Sequence, residues 1–391
     1  MGQPWSRMTQ MKARPRRRTR NPSKPSGFPR PSWQLTAALI CMLALAFCIA
    51  NLPQHEPTPL SIECTKCVGL AKRLLEALTH FHLPEAAEFL KRFGKVRLKN
   101  GNVLESEGIY GHPRYKALEW LAMDESLESP SSGFPTEQLV QRYALAVLYF
   151  ATHGDQWNRC SRRESSPCES TLSKKGEMLS SRFLSSSHVC YWYGVTCSSD
   201  NQGAQSKWMV TWIDLTGNGL DGTLPDEVAL FGESLELLWL ANNPVSGQIP
   251  LSIGHLSKLQ TLSLAQTAAT GTLPNALFDL KHLISLRLYE SNFSGPLSTK
   301  IDQLSNLEWL WLHHNSFTGL IPGEQLGRLN KLESLTIHQN RFENNATIIG
   351  HDLIYEELCR SLEAKGRHLQ QLWADCRHKK CSCCTKCFSP L

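Results

Sequence analysis

One phrase recurs along the carboxyl half of this chain at a fixed interval. It begins at Leu235 as LELLWLANNPVSGQIPLSIGHLSK, at Leu259 as LQTLSLAQTAATGTLPNALFDLKH and at Leu283 as LISLRLYESNFSGPLSTKIDQLSN. It continues at Leu307 as LEWLWLHHNSFTGLIPGEQLGRLNK, and its opening half returns at Leu332 as LESLTIHQNRFEN. An earlier copy, VTWIDLTGNGLDGTLPDEVALF, starts at Val210. A repeat of this length means a solenoid, because one unit cannot bury its own apolar face and stacked units can. A stacked, open surface suits contact with a partner better than enclosure of a reaction.

The pairs Leu238/Leu240, Leu262/Leu264, Leu286/Leu288 and Leu310/Leu312 alternate with period two, which predicts a short strand with one buried face in every coil. Asn218, Asn243, Asn315 and Asn340 stand where the chain turns inward. A side-chain amide there both donates and accepts, so it satisfies backbone groups that would otherwise be buried unpaired. Thr267 and Ser291 take that place in two central coils, where a weaker ladder is expected. Gly222, Gly247, Gly271, Gly295 and Gly319 follow, and Pro225, Pro250, Pro274 and Pro322 fix the next turn, with Ser298 the exception. Leucine, asparagine, glycine and proline all keep phase, which a helical bundle does not produce.

The GQIP, GLIP and two GTLP segments make this stretch resemble the plant-type leucine-rich repeat, over about residues 137–345. QRYALAVLYFATHGDQWN followed by FLSSSHVCYWYGVTC is similar to that family's N-terminal cap, including the pair Cys190 and Cys197. The Cys-rich end, WADCRHKKCSCCTKCF, resembles the tail of algal members, diatoms in particular. The resemblance implies an α/β leucine-rich repeat solenoid with a parallel strand on its concave face and a helical N-terminal cap. It also implies a receptor-like ectodomain without a kinase.

The formal net charge of +6 is unevenly placed. Residues 1–33 carry nine Lys/Arg and no acid, which leaves the remainder at −3. This basic stretch directly precedes LTAALICMLALAFCIANL, Leu35 to Leu52, which holds no charge. Eighteen such residues suffice for a short transmembrane helix or a long signal-peptide core. A signal anchor with its basic tail in the cytosol is expected, because flanking basic residues stay on that side. A cleaved leader ending near Ala46 is the rival. Twelve cysteines beyond this segment fall in even groups: Cys64 and Cys67; Cys160, Cys168, Cys190 and Cys197; Cys359, Cys376, Cys381, Cys383, Cys384 and Cys387. Even clusters point to disulfides in an oxidising compartment. The sequons at Asn292 and Asn345 agree with it. For the tail cysteines zinc is the rival to disulfides, and for Cys64 and Cys67 a redox pair is the rival to a local disulfide. No metal and no cofactor are expected.

The expected organisation is a disordered basic tail (1–33), a transmembrane segment (34–52) and a juxtamembrane helical region or stalk (53–130). A cap (136–208), the repeats (209–345) and a C-terminal cap with the Cys-rich tail (346–391) follow. Pro113 to Met123 is expected to be a helix, and Thr136 to N-cap another that covers the first coil with Leu139, Tyr143, Val147 and Phe150. Leu353, Tyr355, Leu358, Leu362 and Leu369 suggest helices closing the far end.

Alternation places the residues flanking each L-x-L pair on the solvent side of the sheet. The large ones are Trp212, Trp239, Tyr289, Trp309 and Trp311, joined by Arg287, His313 and His338. Tryptophan, tyrosine and arginine are favoured at binding hot spots, and aromatic faces stack on sugar rings or apolar side chains. These eight residues form the candidate ligand site. G-x-S-x-G, H-E-x-x-H and P-loop motifs are absent from the sequence, and catalysis is not expected. The expected partners are a protein, peptide or polysaccharide ligand, a membrane and a signalling co-receptor, with no nucleic acid. The expected place is the plasma membrane, carboxyl part outside or lumenal. The alternatives are an adhesive surface protein and a secreted inhibitor of a wall-degrading enzyme.

Overall fold

The leucine pairs build a continuous sheet. A computed structural model describes residues 111–122, 124, 136–163, 165–168, 181–199, 208–343, 355–376 and 381–388. The basic tail, the apolar segment 34–52, residues 53–110, the Cys64/Cys67 pair and the Asn345 sequon lie outside them. Among the described residues no helix is long and apolar enough to cross a membrane.

Two helices come first, α1 (Pro113–Ala122) and α2 (Thr136–Ala151), then a hairpin of β1 (Val195–Ser199) and β2 (Trp208–Asp214). Each coil then supplies one short strand to each of two sheets. The coils run through β3 (Gly222–Thr223), β4 (Leu237–Trp239), β5 (Asn243–Gly247), β6 (Thr261–Ser263), β7 (Thr267–Gly271), β8 (Ser285–Arg287) and β9 (Asn292–Pro296). They continue through β10 (Trp309–Trp311), β11 (Ser316–Gly319), helix α3 (Gly323–Arg328), β12 (Ser334–Thr336) and β13 (Arg341–Phe342). Helix α4 (Glu356–Glu363), β14 (Gln371–Asp375) and β15 (Lys386–Phe388) complete the order. The larger sheet runs β1-β2-β4-β6-β8-β10-β12-β14-β15, and all its pairings but the first are parallel. Leu238, Leu262, Leu286, Leu310 and Leu335 pair in register and have no exposed surface. Full burial of one such side chain contributes about 1.5–3 kcal/mol.

The second sheet, β13-β11-β9-β7-β5-β3, follows the asparagine position. Its inward residues include Phe293, Phe317 and Phe342, whose rings stack at 6.4 and 6.2 Å. The asparagines act as their spacing predicts. Asn243 accepts from Leu220 N (3.0 Å) and donates to Leu215 O and Leu240 O (2.8 and 3.0 Å). Asn340 repeats this with Phe317 N, Leu312 O and Ile337 O. In the central coils Thr267 donates to Leu264 O, and Ser291 reaches the same carbonyl and Thr267 N. A hydroxyl has one proton to give where the amide has two, so the ladder thins there.

The inward turn is made one residue earlier than expected. Asn242, Gln266, Glu290, His314 and Gln339 all have φ between 52 and 56°. Backbone N–H groups of Asn242, Gln266, Glu290 and His314 donate to the next coil, to Ala265, Tyr289, His313 and His338 carbonyls at 2.8–3.1 Å. These bonds hold a left-handed backbone that non-glycine residues otherwise avoid. Gly222, with φ of 135°, is required for a different reason. A Cβ there would meet the Ala151 carbonyl oxygen at 2.1 Å, where the end of α2 touches the first coil.

Two regions differ from expectation. Helix α2 is buried on every side from Leu139 to Tyr149, not along one stripe, because α1 covers the face turned away from the first coil. Arg114 of α1 also pairs with Glu227, which is fully buried in that coil, and reaches Asp226 at 3.7 Å. Helix α1, within the segment 53–130 expected as a juxtamembrane helical region or stalk, therefore packs onto α2 and the first coil. At the other end the sheet continues past residue 345. Leu369, Leu372 and Ala374 restate the strand pattern after α4, so the Cys-rich tail supplies β14 and β15.

Candidate functional site

Parallel strands in strict register place equivalent residues of successive coils side by side, about 4.8 Å apart. On the concave face this produces two lanes of side chains. One lane follows the middle of the sheet: Asp214, Trp239, Ser263, Arg287, Trp311, Thr336, Trp373 and Lys386. The Arg287 guanidinium lies over the Trp311 ring at 4.7 Å and over the Trp239 ring at 5.5 Å, and its Nε donates to Ser285 Oγ (3.0 Å). Such contacts strengthen as water leaves them. Trp311 Nε1 donates to Ser334 Oγ (2.8 Å), and that hydroxyl donates on to Gln371 Oε1 (2.7 Å).

The second lane is a column of parallel rings. Tyr289 stacks on His313 at 4.7 Å, His313 on His338 at 4.8 Å, and His338 on Phe388 at 3.8 Å, with interplanar angles of 3–8°. The first two spacings are the strand spacing itself, so the sheet sets the stack. His313 Nδ1 is 2.7 Å from Thr336 Oγ1. Lys386 Nζ sits over the rings of Trp373 and Phe388 at 4.7 and 4.6 Å.

Burial corrects the expectation that every flanking residue faces solvent. Trp212 does, with 48% of its surface exposed, and Trp239, Arg287, Tyr289, Trp309, Trp311 and His313 are half-buried. His338 is 3% exposed, and Ser263, Ala265, Ser285, Ser334 and Thr336 are buried too. The cause is the size of the neighbour one strand away. A ring or guanidinium leaning along the lane covers the small residue beside it, and Phe388 covers His338. Trp239, Arg287, Tyr289, Trp311, His313 and His338 form one connected set. Trp212 stands at the amino end, with Leu237, Thr261 and Ser285 between it and Trp309 in a flanking row. Trp373, Lys386 and Phe388 complete the lanes, although the tail was read only for its cysteines. The L-x-x-L-x-A signal at Leu369 could have found the first of them. Glu290, a conceivable acid partner for His313, accepts from Gln266 Nε2 at 2.9 Å.

Burial pushes both imidazoles down to about 4, His313 with the charge of His314 adding to it, and His338 with those of His313, His314 and Lys386. Both rings are therefore neutral at neutral pH and stack as uncharged surfaces. An unfolded chain protonates them below about 6.5. The folded chain does so only near 4, so the stability they carry is full above 6.5 and falls as the pH drops toward 4. Allowing for the solvent that reaches His313, the pair should account for roughly 2–4 kcal/mol of that loss. Denaturant unfolding of the parent and of the His313→Gln/His338→Gln variant between pH 4 and 7 measures it. Equal pH slopes for the two proteins would be the contrary result.

The cysteines of the described residues pair as Cys160–Cys168, Cys190–Cys197, Cys359–Cys383, Cys376–Cys387 and Cys381–Cys384. Among the described residues the one grouping of three metal-ligating side chains is Cys359, Cys381 and Cys383, with sulfurs within 4.8 Å of one another.

Residues 232–390 match the family model of leucine-rich repeat regions. A curated relative, the leucine-rich repeat receptor-like serine/threonine-protein kinase RGI4 of Arabidopsis thaliana, is 32% identical over 103 residues, 22% of this chain and 9% of that protein. Of the solved structures, the PEPR1–AtPEP1 complex is similar at 24% identity over 60% of this chain and 29% of that one, with a TM-score of 0.43. The Arabidopsis receptor kinase HAESA with the peptide hormone IDA and co-receptor SERK1 gives 34% identity, 33% and 22% coverage, and a TM-score of 0.32. The chain thus spans less than a third of the length of each. The family match, the curated relative and the repeated coil agree in making residues 232–390 similar to plant leucine-rich repeat regions.

Proposed function

We propose that the concave face is a recognition surface for an extended ligand, a peptide or protein segment first, and that the protein acts as a receptor-like module without catalysis of its own. The observation that carries this is the pair of lanes, with Trp239, Arg287 and Trp311 beside Tyr289 and His313. The leucine spine and the asparagine turns define the repeat without requiring large outward side chains, and these positions concentrate the residue types that dominate binding energy. RGI4 bears the name of a receptor-like kinase, which agrees with a receptor-like part for this chain. The five disulfides of the described residues suit an extracellular or lumenal site. Residues 34–52 would hold the domain at the plasma membrane, α2 and its neighbours would form the N-terminal cap, and signalling would pass through a co-receptor. Glycans at Asn292 and Asn345 would fit the same compartment.

The competing reading is stacking on wall polysaccharide, since the same rings fit sugar faces. The full-length chain in detergent can be applied to a random-peptide array and to an array of cell-wall polysaccharides, each beside its Trp309→Ala/Trp311→Ala variant. Peptide binding lost in the variant, with the melting profile kept, is the expected result. Binding confined to the polysaccharide array favours the adhesive reading. Equal binding by the two proteins refutes the site.

A further inference from the structure

The carboxyl-terminal sulfurs are packed more tightly than two separate disulfides require. Cys359, buried on α4, is bonded to Cys383, and Cys381 is bonded to Cys384. Across the two bonds, the Sγ atoms of Cys359 and Cys381 lie 3.5 Å apart, and those of Cys381 and Cys383 lie 3.9 Å apart. Three sulfurs, those of Cys359, Cys381 and Cys383, therefore lie within 4.8 Å of one another, and the fourth, Cys384 Sγ, is bonded to Cys381. A tetrahedral zinc–thiolate centre has Zn–S bonds of about 2.3 Å, which puts its sulfur–sulfur edges at about 3.8 Å. The two non-bonded contacts fall on either side of that edge. The backbone supports the same geometry. Cys384 N donates to Cys381 O at 3.2 Å, a tight turn that returns both ends of a C-x-x-C segment to one side, and this is a spacing that structural zinc sites use. The pairing of Trp373–Asp375 with Lys386–Phe388 holds the ends of the loop together.

We propose that the reduced form of Cys359, Cys381, Cys383 and Cys384 is a tetrahedral Zn2+ site, so that the open end of the solenoid is closed by a metal in one redox state and by two disulfides in the other. The balance is simple. Each disulfide takes two electrons and two protons from a protein or small-molecule dithiol, which leaves as its own disulfide. Zn2+ then displaces four protons as the four thiols bind it. A disulfide oxidant reverses the sequence, taking up four electrons in all and releasing the ion.

The test uses the full-length chain in detergent, reduced with a phosphine and refolded without oxygen in the presence of Co2+. The expected result is one bound Co2+ with thiolate-to-metal charge transfer and the strong visible bands of a tetrahedral site. Zn2+ should displace it. Cys359→Ser and Cys381→Ser should each weaken binding at least about 100-fold, at or beyond the loss that second-shell changes cause at zinc sites. Cys376→Ser, outside the cluster, should keep the spectrum and report on folding. Absence of tetrahedral thiolate bands in the reduced parent overturns the proposal. So does their survival in the Cys359→Ser/Cys381→Ser double variant, which would place the metal elsewhere.

Discussion

Replacing Arg142 by methionine should lower the unfolding free energy by about 3–5 kcal/mol, the usual loss when one partner of a buried ion pair is removed. Arg142 is 1% exposed in the middle of α2. Its Nε donates to Asp124 at 2.5 Å, and its Nη atoms donate to the Ser187 and Ser185 carbonyls at 2.8 and 2.6 Å. The guanidinium also lies between the rings of Trp120 and Trp192, 5.1 and 5.0 Å from their centroids. One side chain thus joins α2, the end of α1 and the loop before the Cys190–Cys197 bond. Methionine fills much of the volume but leaves the Asp124 carboxylate and two carbonyls without these donors. The double variant Arg142→Met/Asp124→Leu should recover part of the loss, because it removes the stranded charge as well. Guanidinium unfolding of the three proteins checks both statements. A single variant within about 1 kcal/mol of the parent, the scale of an exposed pair, would show that the pair is solvated in solution.

Asn315→Ala should cost about 2–5 kcal/mol, because it strands the buried Phe293 N and Leu288 O at about 1–3 kcal/mol each, while Leu312 O keeps the Asn340 amide. The amide accepts from Phe293 N at 2.9 Å and donates to Leu288 O and Leu312 O at 2.7 and 3.1 Å. These hydrogen bonds are buried between stacked coils. Thr267→Ala should cost about 1 kcal/mol, in line with one ordinary hydrogen bond. The contrast is diagnostic. Similar losses at the two positions would mean that the amide ladder does not hold the coils. Thermal and denaturant midpoints of both variants supply the comparison.

The solenoid was legible because its signals are local. Leu238, Asn243, Gly247 and Pro250 each state a backbone requirement, and the 24-residue interval repeats the statement. Less was legible where one segment answers another far away in the chain. Gln141 looks like a surface residue of a helix, yet its Oε1 accepts from Val210 N at 2.6 Å. Arg114 gives no sign of Glu227, and Leu369, expected in a closing helix, instead opens the strand pattern of Leu372 and Ala374. The candidate site was half legible. Alternation identified which side chains leave the strands on the concave face, and those assignments carry the proposed surface. It could not say which of them remain open to a ligand, nor that Phe388 would lie against His338.

The order of residues by itself determined the coil, its period, its buried leucine spine and the face on which the large side chains emerge. These follow from backbone geometry and from the need to bury one side of each short strand. Only the tertiary structure decided which of those side chains meet water, how α1 closes over α2, and how the last strands join the sheet. Accessibility is set by the bulk of neighbours one or two strands away, and these lie about two dozen to fifty residues distant along the chain.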